Sequence, residues 1–317
     1  MKINKILITG AAGFIGSHVY DHFSKLYPNA AIIILDKMTY AANIKNIPSI
    51  LTNKNHTLIV GDLIDLDTCL KATLDADLVI HLAAESHVDN SFNNSIIFSK
   101  SNELGTHTLM EACKQNKVKK IIHVSTDEVY GENIDKAYIE SDRLNPTNPY
   151  SASKAAAEMI VKSYHTSFKL PVIIVRANNI YGIRQFPEKI IPKFILRCIN
   201  GEDLEIHGDG KNLRHYLSAY DFARAIELLN NKGELGAAYN IASDLELSNI
   251  EVADLISSKF PNKSIKINYV SNRPFNDSRY AVNDEKLRNL GWSPKKSLID
   301  DIPEIIDWYI ANLHLYN

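Results

Sequence analysis

Six short, almost wholly apolar runs punctuate the first 180 positions, and they constrain the fold more than anything else in the chain. They are Lys5–Thr9, Ala31–Leu35, Thr57–Val60, Leu78–Leu82, Ile121–Ser125 and Val172–Arg176. Between them lie stretches with helical periodicity, among them Ile15–Leu26, Asp65–Thr73, Ser101–Gln115 and Tyr150–Phe168. Strands without polar alternation must be covered on both faces, and helices between them supply the cover. The expectation is α/β: a doubly wound, Rossmann-type parallel sheet over residues 1–180. Residues 181–317 mix shorter strands (Leu204–His207, Tyr239–Ala242, Ile265–Val270) with helices at Lys189–Asn200, Asp221–Asn230, Ile250–Lys259 and Leu298–Leu313. These predict a smaller, mixed α/β C-terminal lobe for substrate, with the chain crossing between lobes more than once.

The first strand runs into Thr9-Gly10-Ala11-Ala12-Gly13-Phe14-Ile15-Gly16. In such a turn Gly10 permits the bend, Gly13 admits a pyrophosphate, and Gly16 lets helix pack on strand. Phosphates would sit at the positive end of the helix that follows. A glycine turn that binds nothing remains the plain alternative. The second strand ends at Asp36, where a carboxylate can accept both hydroxyls of an adenosine ribose and repel a 2′-phosphate. NAD⁺ is therefore expected over NADP⁺, although the adjacent Lys37 speaks the other way. Gly61-Asp62-Leu63 fits a cap on adenine as well as it fits an ordinary helix cap.

Composition narrows the partners. With 45% hydrophobic and 23% charged residues and a net charge of −2, the chain has no overall field for nucleic acid or an anionic membrane. Three separated cysteines, Cys69, Cys113 and Cys198, make no metal-binding pair, so no metal is expected. The N-terminus shows no signal-peptide pattern, and no apolar run approaches the roughly 20 residues that span a bilayer. A cytoplasmic location is the expectation.

Ser125-Thr126-Asp127-Glu128-Val129-Tyr130-Gly131 precedes Tyr150-Ser151-Ala152-Ser153-Lys154. Tyr150 and Lys154 lie four apart, on one helix face. A tyrosine base near neutral pH needs its pKa lowered by about three units from about 10, or roughly 4 kcal/mol of preference for the phenolate. A neighbouring ammonium and the positive ring of NAD⁺ would supply it. Asp127 and Glu128 add an acid–base pair. Consecutive strand residues face opposite ways, so the chain must leave the strand near Thr126 for both to reach one substrate. Gly131 suits that turn. The histidines lack ligand spacing; His123 in particular reads as a satisfied core residue. Tyr20, Phe23 and Tyr164 read as core or subunit contacts.

These motifs resemble those of nucleotide-sugar 4,6-dehydratases, the family of dTDP-glucose 4,6-dehydratases and of the first domain of plant UDP-rhamnose synthases. The likeness extends over most of the chain. It includes His81-Leu82-Ala83-Ala84-Glu85-Ser86-His87-Val88-Asp89, Asn148-Pro149-Tyr150, Phe186-Pro187-Glu188-Lys189-Ile190-Ile191-Pro192 and Asn272-Arg273-Pro274-Phe275-Asn276-Asp277. The resemblance implies an extended short-chain dehydrogenase/reductase that uses tightly bound NAD⁺. It would oxidise C4 of a nucleotide-linked glucose, remove water across C5–C6 and return a hydride to C6. Tyr150, assisted by Thr126 and Lys154, would take the O4 proton, Glu128 the C5 proton, and Asp127 would protonate the leaving oxygen. A 4-epimerase would need no such acid–base pair.

The resemblance further implies that Phe14, Ile15, Lys37, Thr39, Asp62, Leu63, Leu82, Ala83, Ala84, Ser86, Ser101 and Asn178 join the glycines, Asp36, Tyr150 and Lys154 around the cofactor. Ser86, Thr126, Asn179, Glu188, Lys189, Ile190, Glu205, His207, Arg214, Asn249 and Arg273 would bind the sugar nucleotide. The substrate would be UDP-glucose, with dTDP-glucose the alternative. A homodimer built on Ser101–Gln115 and Tyr150–Phe168 is implied, as are separate downstream epimerase and reductase partners toward rhamnose or a related 6-deoxy sugar.

Overall fold

The computed structural model describes residues 2–133, 136–272 and 277–316. The first half runs β1 (Lys5–Thr9), α1 (Phe14–Leu26), β2 (Ala31–Asp36), β3 (His56–Val60), α2 (Leu66–Thr73), β4 (Leu78–His81), α3 (Val88–Asn93), α4 (Ser95–Phe98), α5 (Gly105–Gln115), β5 (Ile121–Thr126) and α6 (Pro149–Phe168). There follow β6 (Val172–Ala177), β7 (Asn179–Tyr181), α7 (Ile190–Asn200), β8 (Leu204–His207), β9 (Leu213–Ser218), α8 (Ala219–Lys232) and β10 (Ala238–Ile241). The chain ends with β11 (Glu246–Ser248), α9 (Asn249–Ser257), β12 (Ile267–Val270), α10 (Glu285–Arg288) and α11 (Leu298–Ala311).

Seven parallel strands form the main sheet in the order β10-β6-β5-β4-β1-β2-β3. The expected Rossmann-type sheet is therefore present, and its double cover follows from strand pleating. Ile6, Ile8, Ile32, Ile34, Ile122 and Val175 point to one face, under α1 and α8. Leu7, Val79, Ile121, Val172 and Ile174 point to the other, under α2, α5 and α6. The run around Tyr239, grouped by sequence with the second lobe, instead pairs with β6 as the seventh strand. Four apolar-flanked residues carry no signal for which sheet they join.

The smaller lobe holds a three-stranded sheet, β11-β9-β7, and the parallel pair β12-β8. Its own core comprises Ile191, Phe194 and Ile195 of α7, Ile206 of β8, Val252 and Ile256 of α9, and Ile302 and Tyr309 of α11. Tyr20 and Phe23 are fully buried, as expected. His123 is buried too, but neither ring nitrogen finds a hydrogen-bond partner; it packs against the His81 ring at 5.2 Å instead. Core placement was legible for this histidine, satisfaction was not. Among the described residues, no helix is long and apolar enough to cross a membrane.

Candidate active site

The carboxyl ends of β1, β2, β4, β5 and β6 open onto a cleft of about 480 Å³ whose far wall is the smaller lobe. This is where an open α/β sheet places its ligands. Every candidate residue that is described lines it, with one exception, Asp127. Arg273 lies outside the described residues.

The cofactor side starts at the glycine turn. A Cβ on Gly16 would stand 2.1 Å from the Gly10 carbonyl oxygen, so only glycine lets α1 lie this close. A Cβ on Gly13 would meet only that same oxygen, at 3.4 Å, which leaves the approach to the helix open. No side chain caps α1, and its first turn carries no acidic residue. Free N–H groups and an open approach suit a pyrophosphate. Asp36, at the end of β2, accepts from the Ala12 amide at 2.9 Å and the Met38 amide at 2.8 Å, one on each oxygen. Burial raises its pKa, and those two amides pull it back. Each oxygen retains a lone pair for a ribose hydroxyl. Lys37 forms a 2.7 Å ion pair with Asp62. Lys37, the cation next to Asp36 in sequence, is thus already engaged, and the set fits NAD⁺. Phe14, Ile15, Thr39, Leu63, Ser101 and Leu82 to Ser86 complete this side. His81 fixes that last segment: Thr9 Oγ1 lies 2.8 Å from its Nδ1 and accepts from the Leu82 and Ala83 amides.

At the other end the sequence breaks the strand where the acid–base pair requires it. β5 ends at Thr126, whose hydroxyl accepts from the Glu128 amide at 3.3 Å and opens a single 3₁₀ turn, Asp127–Tyr130. Gly131 closes the turn at φ +81°, and a Cβ there would lie 2.3 Å from the Asn145 carbonyl oxygen. Asn148 caps α6 in a capping box with Ser151, and Pro149 pre-sets the first helical turn. That start fixes Tyr150 and Lys154 on the cleft wall.

Glu128 lines the cleft and accepts from Asn148 Nδ2 at 3.2 Å. Burial, then the charge of Asp127, raises its pKa to about 7. Asp127 is only 3% exposed and lies behind Thr126, accepting from Asn178 Nδ2 at 2.8 Å and Thr126 Oγ1 at 3.2 Å. Burial raises its pKa as well, against those two bonds. Burial and the neighbouring Glu128 charge push the Tyr150 phenol upward, and only the hydrogen bond with Thr126 works the other way. Lys154 donates to the Val124 carbonyl at 2.7 Å, and burial lowers its own pKa to about 8. The expectation names two positive groups for the phenolate, Lys154 and the ring of NAD⁺; of the protein's own groups it is the Thr126 hydrogen bond that opposes burial.

The substrate side gathers residues from five separate segments. Asn179 lies on β7. Lys189 caps α7 beside Ile190, and its Nζ donates to the Ser86 carbonyl at 2.9 Å. Glu188 accepts from the Tyr40 hydroxyl at 2.8 Å. On β8, Glu205 pairs with Arg197 at 3.1 Å, and His207 Nδ1 lies 2.9 Å from the Ser271 carbonyl oxygen. Arg214 on β9 donates to the Asp277 carbonyl at 2.9 Å, its guanidinium carbon 4.7 Å from the Tyr280 ring centroid. Asn249 opens α9. Sequence reading missed Tyr280, Asp277 and Tyr216, which also line the cleft, and the Asn148 contact to Glu128. Asn148 carried a signal in the Asn-Pro before Tyr150, and Asp277 in closing the Asn272–Asp277 motif; Tyr216 and Tyr280 carried none. Asn178, expected at the cofactor, lines the cleft, but its amide is engaged by Asp127 and the Ser243 amide.

A family model described as GDP-mannose 4,6 dehydratase matches residues 7–305. An Arabidopsis thaliana protein named trifunctional UDP-glucose 4,6-dehydratase/UDP-4-keto-6-deoxy-D-glucose 3,5-epimerase/UDP-4-keto-L-rhamnose-reductase is 48% identical over 320 residues. The match covers 98% of this chain and 48% of that protein, so the chain spans about half the length of this plant relative. A dTDP-D-glucose 4,6-dehydratase of Dictyostelium discoideum is 45% identical, over 98% of this chain and 82% of that one. Among solved structures, DesIV, a dTDP-glucose 4,6-dehydratase from Streptomyces venezuelae with NAD and TYD bound, superposes with a TM-score of 0.94. It is 35% identical, over 98% of both chains.

Proposed function

From a chain that belongs to the GDP-mannose 4,6 dehydratase family, we propose an NAD-dependent nucleotide-sugar 4,6-dehydratase, a hydro-lyase, that acts on UDP-glucose. The observation that carries this reading is Glu128: a carboxylate on the cleft wall, held near pH 7 by burial and by Asp127. A base tuned to the operating pH is what abstraction of a C5 proton requires. Asp127, raised by burial, stands off the cleft wall. It is the proton source for the leaving C6 oxygen through the hydroxyl of Thr126, which lines the cleft and lies 3.2 Å from its Oδ1. Tyr150, hydrogen-bonded to Thr126, takes the O4 proton, and Lys154 stands one helical turn behind it. Bound NAD⁺ supplies reversible hydride acceptance and the positive charge that favours the Tyr150 phenolate. Asn179 and Arg214 hold the nucleotide pyrophosphate, Lys189 lines the site beside them, and Arg273 reaches the nucleotide as a proposal from sequence.

UDP-glucose is preferred because the plant relative, named for UDP-glucose, is the more similar of the two reported sequences. The second reading, dTDP-glucose, is favoured by the Dictyostelium relative and by the likeness to DesIV. Purified protein incubated separately with each sugar nucleotide and followed by mass spectrometry tests both. Loss of one water without added NAD⁺ supports the dehydratase, and the faster substrate names the nucleotide. Unchanged mass with glucose converted to galactose would make the enzyme a 4-epimerase. The 4-keto product then needs an epimerase and a reductase, activities that the plant relative's name assigns to its own chain. The proposed state is a homodimer paired through α5 and α6, where Met159 and Phe168 are exposed; light scattering that returns a monomer's mass removes it.

A further inference from the structure

Two buried charges have no part in the chemistry above. Glu158 and Arg176 are both 0% exposed. Arg176 Nε donates to Glu158 Oε1 at 2.9 Å, and its Nη2 to Oε2 at 2.6 Å. Desolvating two ions is costly, and an apolar pair of similar volume would hold helix to strand without that cost. A buried pair is thus poorly explained by stability alone.

Its surroundings suggest another role. Glu158 follows Lys154 by four residues on α6, one helical turn along the same face. Arg176 lies on β6, directly before Ala177 and Asn178 at the cleft. Its Nη1 donates to the Tyr130 hydroxyl at 2.5 Å, and its guanidinium carbon stacks 4.7 Å from that ring's centroid. Tyr130 is the last residue of the turn that begins at Asp127. The tyrosine hydroxyl donates in turn to Asn240 on β10 at 2.9 Å.

We propose that the Glu158–Arg176 pair positions the catalytic machinery: it ties the helix bearing Tyr150 and Lys154 to the turn bearing Asp127 and Glu128, and its carboxylate is the counter-charge that keeps Lys154 an ammonium. The inference rests on the dehydratase reading, since that reading gives Lys154 its task. Around Lys154 stand the Val124 carbonyl and His123 from β5, His81 from β4, and Tyr150 and Glu158 from its own helix. Burial keeps both histidines neutral. Glu158 is the negative group among them, and it opposes the burial that lowers the Lys154 pKa. Arg176 and Lys162, the latter 3.7 Å from Glu158, balance the carboxylate from the other side.

The test is an NMR titration of side-chain-labelled lysines in the purified holoenzyme, with Lys154 assigned through Lys154→Arg. Glu158→Gln is expected to lower the Lys154 midpoint by about one unit and to move the alkaline limb of kcat to lower pH. Because Glu158→Gln strands Arg176 without its counter-ion, the double variant Glu158→Gln/Arg176→Gln is titrated beside it, with the same direction expected. Arg176→Lys keeps the charges but cannot bridge Glu158 and Tyr130; kcat falls while the limb stays in place. An unchanged Lys154 midpoint in a folded variant lacking Glu158 overturns the proposal. The titration needs no substrate, so a wild-type protein inert toward both sugars would overturn the functional reading separately.

Discussion

Asn148 joins Glu128 to the start of the helix that carries Tyr150. Its Oδ1 accepts from the Ser151 amide at 2.9 Å, and its Nδ2 donates to Glu128 Oε2 at 3.2 Å. One side chain thus sets a helix terminus and orients the proposed base. Its hydrogen bond also restrains the rise in the Glu128 pKa.

Asn148→Asp keeps the cap but places a negative charge beside Glu128. The acid limb of kcat should therefore move to higher pH while the thermal midpoint is held. Asn148→Ala should move the limb the same way and also cost about 1 kcal/mol of stability for the lost cap. A pH–rate profile paired with thermal melts separates the two.

Glu128→Gln should lower the rate of water loss by roughly 10²–10⁴-fold, with sugar-nucleotide affinity by calorimetry little changed. The same variant should be more stable than wild type above neutrality. Glu128 has its folded pKa raised from 4.5 to about 7, so the folded state binds the extra proton in that window. Its contribution is present below 4.5 and is lost as pH rises through 7. Removing it should recover on the order of 3 kcal/mol at pH 8. Denaturant titrations at pH 5 and pH 8 check the slope.

Gly16→Ala forces a methyl into the Gly10 carbonyl, and Asp36→Ala removes the ribose acceptor. Both should reduce the NAD⁺ that survives gel filtration, measured by release on heat denaturation. Asp36→Ala should also lower the thermal midpoint of the cofactor-stripped protein, because the residue is buried and its loss leaves the Ala12 and Met38 amides without their acceptor.

Gly131→Ala places a side chain in a backbone region essentially reserved for glycine and drives it against Asn145. A loss of about 1–3 kcal/mol is expected, together with a lower kcat, because the strain falls on the turn that holds Asp127 and Glu128.

The main sheet was legible because its strands are apolar on both faces, and the cofactor turn because its glycines fall where a strand becomes a helix. What escaped the sequence was pairing over distance. Asn178 reaches Asp127 across 51 positions, and Arg214 meets Asp277 across 63; neither spacing leaves a periodic trace. The surroundings of the Tyr150 phenol escaped for a different reason. A four-residue spacing reveals that Lys154 is near, but not that its ammonium is turned to the Val124 carbonyl or that Glu128 stands close enough to oppose the phenolate.

The placement of β10 has a consequence for how the chain could be divided. A fragment cut after β6 would expose that strand's open edge and the apolar surface that α8 covers, leaving a sticky margin for aggregation. The second half, in turn, would carry a strand with no sheet to join. The two lobes are interlaced through β10 and α8, so a division after β6 runs across the main sheet rather than between separate modules.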